Sequence, residues 1–143
     1  MRLIAVLAVL SLVACERSPT APANRLLVTA FAMPDTVRAG EVTVVTVGIT
    51  NVSDEPQTYE SNFCGQAYHI YNSAGKKIDN ALPCLALTAP KTLAPGAQDL
   101  YSTEWTTAGG SPATALPAGS YTIRGALDGD GVENLPFTVQ VVP

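Results

Sequence analysis

From residue 25 onward the chain alternates between apolar and smaller or polar positions. Residues 26–33 (LLVTAFAM) set Leu27, Phe31 and Met33 against such neighbours, and Pro34-Asp35 ends the run. Residues 42–51 form the clearest strand: Val45, Val47 and Ile49 point one way, and Thr46, Gly48 and Thr50 the other. β-Branched side chains dominate this run, as a pleated, half-buried surface favours. Residues 51–56 (NVSDEP) are dense in turn formers. Residues 66–72 alternate again, with Tyr68 and Ile70 on one face, and residues 72–75 (NSAG) turn the chain toward Lys76-Lys77-Ile78. Residues 99–105 and 120–127 read as strands, the latter with Tyr121 and Ile123 opposite Thr122 and Arg124. Asp128-Gly129-Asp130-Gly131 is a turn leading into residues 135–142, where Phe137, Val139 and Val141 face inward. Prolines 83, 90 and 95 make residues 82–94 an edge or a loop, because proline gives a sheet no donor. Residues 106–115 (TTAGGSPATA) read as a loop. Frequent turns and about seven or eight strands, with no helical stripe, predict an all-β, immunoglobulin-like antiparallel β-sandwich.

The first 24 residues follow a different pattern. Met1-Arg2 precedes an apolar run over residues 3–13, and small residues follow, which is the layout of a secretory signal. A finished membrane helix needs roughly 20 apolar residues, more than this run supplies. Leu12-Val13-Ala14-Cys15 resembles the lipobox of bacterial lipoproteins. That resemblance implies cleavage before Cys15, acylation of its thiol and amine, and a chain held to a membrane by lipid. One myristoyl-like chain binds only marginally, and lipoprotein cysteines of this type carry two or three. Glu16 stands where an Asp favours inner-membrane retention in Gram-negative lipoproteins, so in a Gram-negative envelope the outer membrane is the expected address. Residues 16–24 (ERSPTAPAN) are polar, proline-containing and aperiodic. As a tether they reach at most about 30 Å. The expected organisation is a signal peptide over residues 1–14, a lipidated tether over 15–24, and a β-sandwich over 25–143.

Length and charge narrow the function. The expected mature chain has 129 residues, the size of one domain. The leader removes only Arg2 from 8 basic and 12 acidic residues, leaving a net charge of about −5 at pH 7. The remaining basic residues are scattered, so no patch is available to neutralise a phosphate backbone, and nucleic acid is not an expected partner. Of the three cysteines, the lipobox accounts for Cys15. Cys64 and Cys84 then remain in a compartment that permits oxidation, and a disulfide between them is expected. Closing that loop contributes about 3 kcal/mol on the chain-entropy model. A zinc site there would need three or four ligands with only His69 to help, and the CxxC spacing of a redox pair is absent.

No constellation of catalytic groups stands out, and no cofactor or metal is expected. His69, the only histidine, alternates with Tyr68 and Ile70 and so faces solvent by pattern. Ser61, Ser73 and Ser102 lack a nucleophile-elbow context. Glu60 and Glu104 are strand carboxylates with no predicted cleft between them. Asp128-Gly129-Asp130-Gly131 has the acid spacing of a weak calcium loop, but Val139 stands where such a loop needs its twelfth-position Glu, and strands flank it. Asn51-Val52-Ser53 matches a glycosylation sequon that carries little weight in a bacterial lipoprotein. Lys76-Lys77 sits at a turn, where charge is solvated. Trp105, the only tryptophan, reads as a core anchor. Binding residues on a sandwich sit on loops, here residues 59–65, 82–95 and 106–115. A Cys64–Cys84 bridge would join the first two into one rigid end, the expected partner site.

Four segments in order resemble a BsuPI-type domain, an immunoglobulin-like family named after a Bacillus intracellular proteinase inhibitor. They are residues 45–56 (VTVGITNVSDEP), 65–76 (GQAYHIYNSAGK), 93–96 (LAPG) leading to Tyr101 and Trp105, and 116–123 (LPAGSYTI). The last resembles the corner of Ig domains, where a Tyr hydroxyl, here that of Tyr121, bonds upstream backbone. The chain departs from the family after Gly75-Lys76, where KIDNALPC replaces an aromatic strand, and no motif marks an inhibitory loop. The combined expectation is a lipid-anchored envelope lipoprotein acting as a non-enzymatic protein-binding or structural module. Proteinase inhibition is the alternative that the family resemblance implies.

Overall fold

The structure is a computed structural model that describes residues 25–61, 63, 66–78, 89–109 and 114–143. The leader, the tether and all three cysteines (Cys15, Cys64 and Cys84) lie outside the described residues. So do residues 82–88 and 110–113 of the expected loops.

Eight strands form two facing sheets. The front sheet has the order β11-β1-β3-β7, made of Val132–Leu135, Leu26–Met33, Val42–Asn51 and Gln98–Thr106. The back sheet has the order β2-β12-β10-β5, made of Thr36–Arg38, Phe137–Val142, Gly119–Gly125 and Tyr68–Tyr71. Among the described residues there are also two ribbons, β4 (Gln57–Glu60) with β6 (Pro90–Leu93), and β8 (Ala108–Gly109) with β9 (Thr114–Ala115). The protein is an immunoglobulin-like β-sandwich, as the alternation predicts.

The inward faces supply the core. Val28, Val45, Val47 and Ile49 of the front sheet meet Ile70, Ile123 and Val139 of the back sheet, all fully buried. Trp105 is buried and packs edge-on against Tyr121 across the two sheets, with ring centroids 6.3 Å apart. The Tyr121 hydroxyl donates to the Pro117 carbonyl at 2.7 Å, forming the expected corner. Gly125 marks the closest approach of the sheets. A Cβ there would lie 2.2 Å from Cγ1 of the buried Val28, so no side chain fits without displacing the core.

Three features differ from the pattern-based expectation. First, two edge pairings are parallel, β1 with β11 and β2 with β12. Pro34 has no N–H to continue the β1 ladder, and the chain crosses to the back sheet as β2. Second, Asp128-Gly129-Asp130-Gly131 does not join neighbouring strands. It leads into β11, which belongs to the front sheet, and Pro136 separates β11 from β12, the strand that pairs with β10. Third, residues 106–115, expected as a loop, contain strand, and within residues 82–94, expected as an edge or a loop, an edge strand forms. Pro90–Leu93 pairs antiparallel with Gln57–Glu60, and the 106–115 segment begins with the end of β7 and contains the β8–β9 ladder. Pro90 stands at the start of its strand, where the missing donor costs least.

β1 also shows which phase of an alternating strand turns inward. Leu26, Val28, Ala30 and Ala32 are buried, whereas Phe31 and Met33 are exposed. β1 packs across both β10 and β12, and the small alanines let the two sheets approach. The larger side chains are left on the outer surface.

Candidate functional site

The expected partner end, residues 59–65 with 82–95, is organised by the β4–β6 ribbon. In its register Tyr59 is opposite Lys91 and Glu60 is opposite Pro90. One step further, the Ser61 N–H and Oγ both donate to the Ala89 carbonyl, at 3.1 and 2.7 Å.

Asn51 docks this ribbon onto the front sheet. Its side chain is wholly buried, and its amide donates to the carbonyls of Glu55 (2.8 Å) and Leu93 (3.0 Å). Its Oδ1 accepts from the Ser53 N–H and hydroxyl, which sets the 51–56 turn. Both amide protons are therefore engaged, so the sequon at Asn51 is closed to glycosylation while the domain is folded.

Beneath the ribbon lies a network that pattern reading did not isolate. The Tyr59 hydroxyl donates to Asp99 Oδ2 at 2.5 Å and lies 2.7 Å from the Tyr101 hydroxyl. Lys91 Nζ donates to Tyr101 at 3.1 Å, pairs with Asp99 at 3.4 Å, and sits 5.1 Å from the Tyr101 ring centroid. Phe63 packs on both rings, 6.3 Å from Tyr59 and 5.1 Å from Tyr101. Donor bookkeeping closes the ring. Tyr59 gives its one proton to Asp99, so Tyr101 gives its proton to Tyr59 and accepts from Lys91. Burial, followed by the bonds to Asp99 and Tyr101, pushes the Tyr59 phenol well above its ordinary range. The bond to Tyr101 raises the Lys91 ammonium despite its exposure. Both groups hold their protons at neutral pH, so neither serves as a base. The chemistry of the arrangement is to tie β4, β6 and β7 together. One signal in the sequence pointed to it: Asp99 and Tyr101 share the inward phase of β7 with Trp105, and an inward acid needs partners.

Beside the ribbon an open groove of about 350 Å³ is lined by Arg25, residues 57–60 of β4 and the 127–132 turn. Gly131, at φ +76°, directs its carbonyl to accept from the Arg25 and Leu26 N–H groups at 2.7 and 3.0 Å. The turn thus starts the β1–β11 pairing. No group of three or more His, Cys, Asp or Glu side chains among the described residues is placed to hold a metal ion.

The other singled-out residues are dispersed. His69 is half-buried on the outer face of the back sheet, where Lys77 Nζ approaches its Nε2 at 3.5 Å. Ser102 bonds Thr46, and Ser73 lies exposed in the 72–75 turn. Glu60 stands in the ribbon and Glu104 on the outer face of the front sheet, so no carboxylate pair forms. No helix among the described residues is long and apolar enough to cross a membrane.

No protein-family model and no curated protein matches this chain. Several solved structures are similar to it. One is a CARDB domain from Pyrococcus furiosus in complex with di-metal ions, at 16% identity and a TM-score of 0.47, covering 82% of this chain and 87% of that one. Another is the alkylpurine DNA glycosylase AlkC of Pseudomonas fluorescens bound to DNA, at 15% identity and a TM-score of 0.49. A third is a β-glucosidase from Listeria innocua, at 16% identity and a TM-score of 0.46. This chain covers 30% of the glycosylase chain and 16% of the glucosidase chain.

Proposed function

We propose that the protein is an exported lipoprotein, held to the cell envelope by acyl chains on Cys15, whose sandwich acts as a non-enzymatic protein-binding or structural module. The observation that carries this reading is Leu12-Val13-Ala14-Cys15 standing ten residues before Arg25, with the first strand beginning at Leu26. A tether of that length keeps the domain within about 30 Å of the lipid surface. The closed Tyr59–Asp99–Tyr101–Lys91 ring is in keeping with a structural role, since its hydroxyls and ammonium are spent on one another. We also propose a Cys64–Cys84 bridge. The Ser61–Ala89 bonds support it, because the chains leading to the two cysteines leave the ribbon side by side.

Growth with an alkyne-tagged fatty acid tests the anchor. The wild-type chain is expected to take up the label and to sediment with membranes, and Cys15→Ser to lose both. An unlabelled wild-type chain, or one that keeps its leader, would contradict the reading.

A further inference from the structure

The outer face of the front sheet is apolar to a degree that a free surface does not need. Met33 is 72% exposed, Leu100 63%, and Phe31 and Leu135 45% each, with Val42 and Val44 beside them. The strand register places them on one surface. Leu135, Thr29, Gly48 and Leu100 form one row across all four strands. Phe31, Thr46 and Ser102 form the next row, and Met33, Val44 and Glu104 the one after. Among the polar groups between them, Thr46 pairs with Ser102 at 2.9 Å and the Gln98 amide with Thr50 at 3.0 Å. Covering this face therefore strands few donors, so its desolvation is cheap.

We propose that this face is an interface with a second copy of the same chain. Strands of 8, 10, 9 and 4 residues, at about 3.4 Å rise and 4.8 Å spacing, give each copy a footprint of about 500 Å². Two copies then bury about 1,000 Å², the floor for a specific interface. The face is also complementary to itself. A twofold axis along the strands, between β1 and β3, sets each row against its own reverse. Leu135 meets the second copy's Leu100, Met33 meets its Val44, and Glu133 meets its Gln98. Glu104 and Glu133 lie at diagonally opposite corners, so no carboxylate faces another. A bilayer is the poorer occupant: Glu104 and Glu133 stand at corners of the face, and anionic headgroups repel them.

Sedimentation velocity of the full chain bearing Cys15→Ser tests this without any contribution from acyl chains, so the result is independent of the anchor. The expected result is a concentration-dependent dimer. Leu100→Glu and Met33→Glu should each weaken it by about 10- to 100-fold, whereas Thr122→Glu, on the outer face of the back sheet, should leave it unchanged. Met33 is mostly exposed, so its variant keeps the test valid if Leu100→Glu fails to fold. A chain that stays monomeric at about 500 µM, or a dimer that survives both front-face variants, overturns the proposal. Flotation of the monomer with phosphatidylcholine–phosphatidylglycerol vesicles, abolished by Met33→Glu, would overturn it in favour of lipid.

Discussion

The two outer faces of this sandwich are built on the same alternation and end in opposite chemistry. On the back sheet the outward positions of β10 and β12 are Ser120, Thr122, Arg124, Thr138 and Gln140, with one apolar side chain, Val142, at the end of β12, and Arg124 is stacked 5.7 Å from the Tyr71 ring. On the front sheet the corresponding positions carry Phe31, Met33, Val42, Val44 and Leu100. A strand needs one apolar face to fold. The back sheet stops there, while the outer face of the front sheet sets these apolar side chains among Thr29, Thr46 and Ser102. The difference teaches that an alternating pattern reports burial in the fold, and a surplus of apolar residues on the second phase reports something beyond it.

Several substitutions sharpen or break that contrast. The largest effect is expected at the spacer that both sheets share. Gly125→Ala places a methyl group into Val28 and should cost about 3 kcal/mol in denaturant unfolding. Val28→Ala in the same chain should recover part of that loss, because the two sites are in contact. Purely additive losses would show that the sheets are not set by this approach.

A smaller effect is expected where the ribbon joins the front sheet. Tyr59→Phe removes the donor to Asp99 and should cost about 1–2 kcal/mol. The network also predicts alkaline sensitivity. The Tyr59 phenol is raised above its unfolded value of 10.0, and Lys91 above 10.5. Stability from both is therefore complete below about pH 10 and lost as pH climbs above it. Thermal melts between pH 8 and 11 should fall more steeply for the wild type than for Tyr59→Phe, and parallel curves would contradict the assignment.

The smallest effect on stability, and the most informative about the faces, comes from Leu100→Glu compared with Thr122→Glu. Each should change the stability of the isolated monomer by less than about 0.5 kcal/mol, since both side chains lie on outer faces of the sandwich. Binding of an apolar dye to the monomer should fall for Leu100→Glu and stay level for Thr122→Glu. Equal dye binding would erase the distinction between the faces.

Much of the frame was legible in the chain. The β-branched run over Val42–Asn51, the alternation of Tyr121 and Ile123 and the buried Trp105 followed from residue type and period, and the Tyr121 corner from the resemblance to Ig domains. What escaped was long-range. Period two separates the faces of β1 but does not say which one is inner. Leu27, Phe31 and Met33 carry more apolar volume, yet the phase of Leu26, Val28, Ala30 and Ala32 is buried, because it fits against Gly125 and the back sheet. β2 and β11 are too short to show a period, and their parallel partners lie about a hundred residues away in the chain. The Tyr59 network joins residues from three strands, two of them in segments that read as loops, residues 59–65 and 82–95.

Hydroxyl-radical footprinting of the full chain bearing Cys15→Ser, followed from about 1 to 500 µM, tests the proposed dimer face most directly. Oxidation of Met33 should fall as concentration rises, while that of Tyr71, on the opposite outer face, stays constant. Met33 oxidised at the same rate throughout would mean that the apolar face meets no second copy and that the central claim fails.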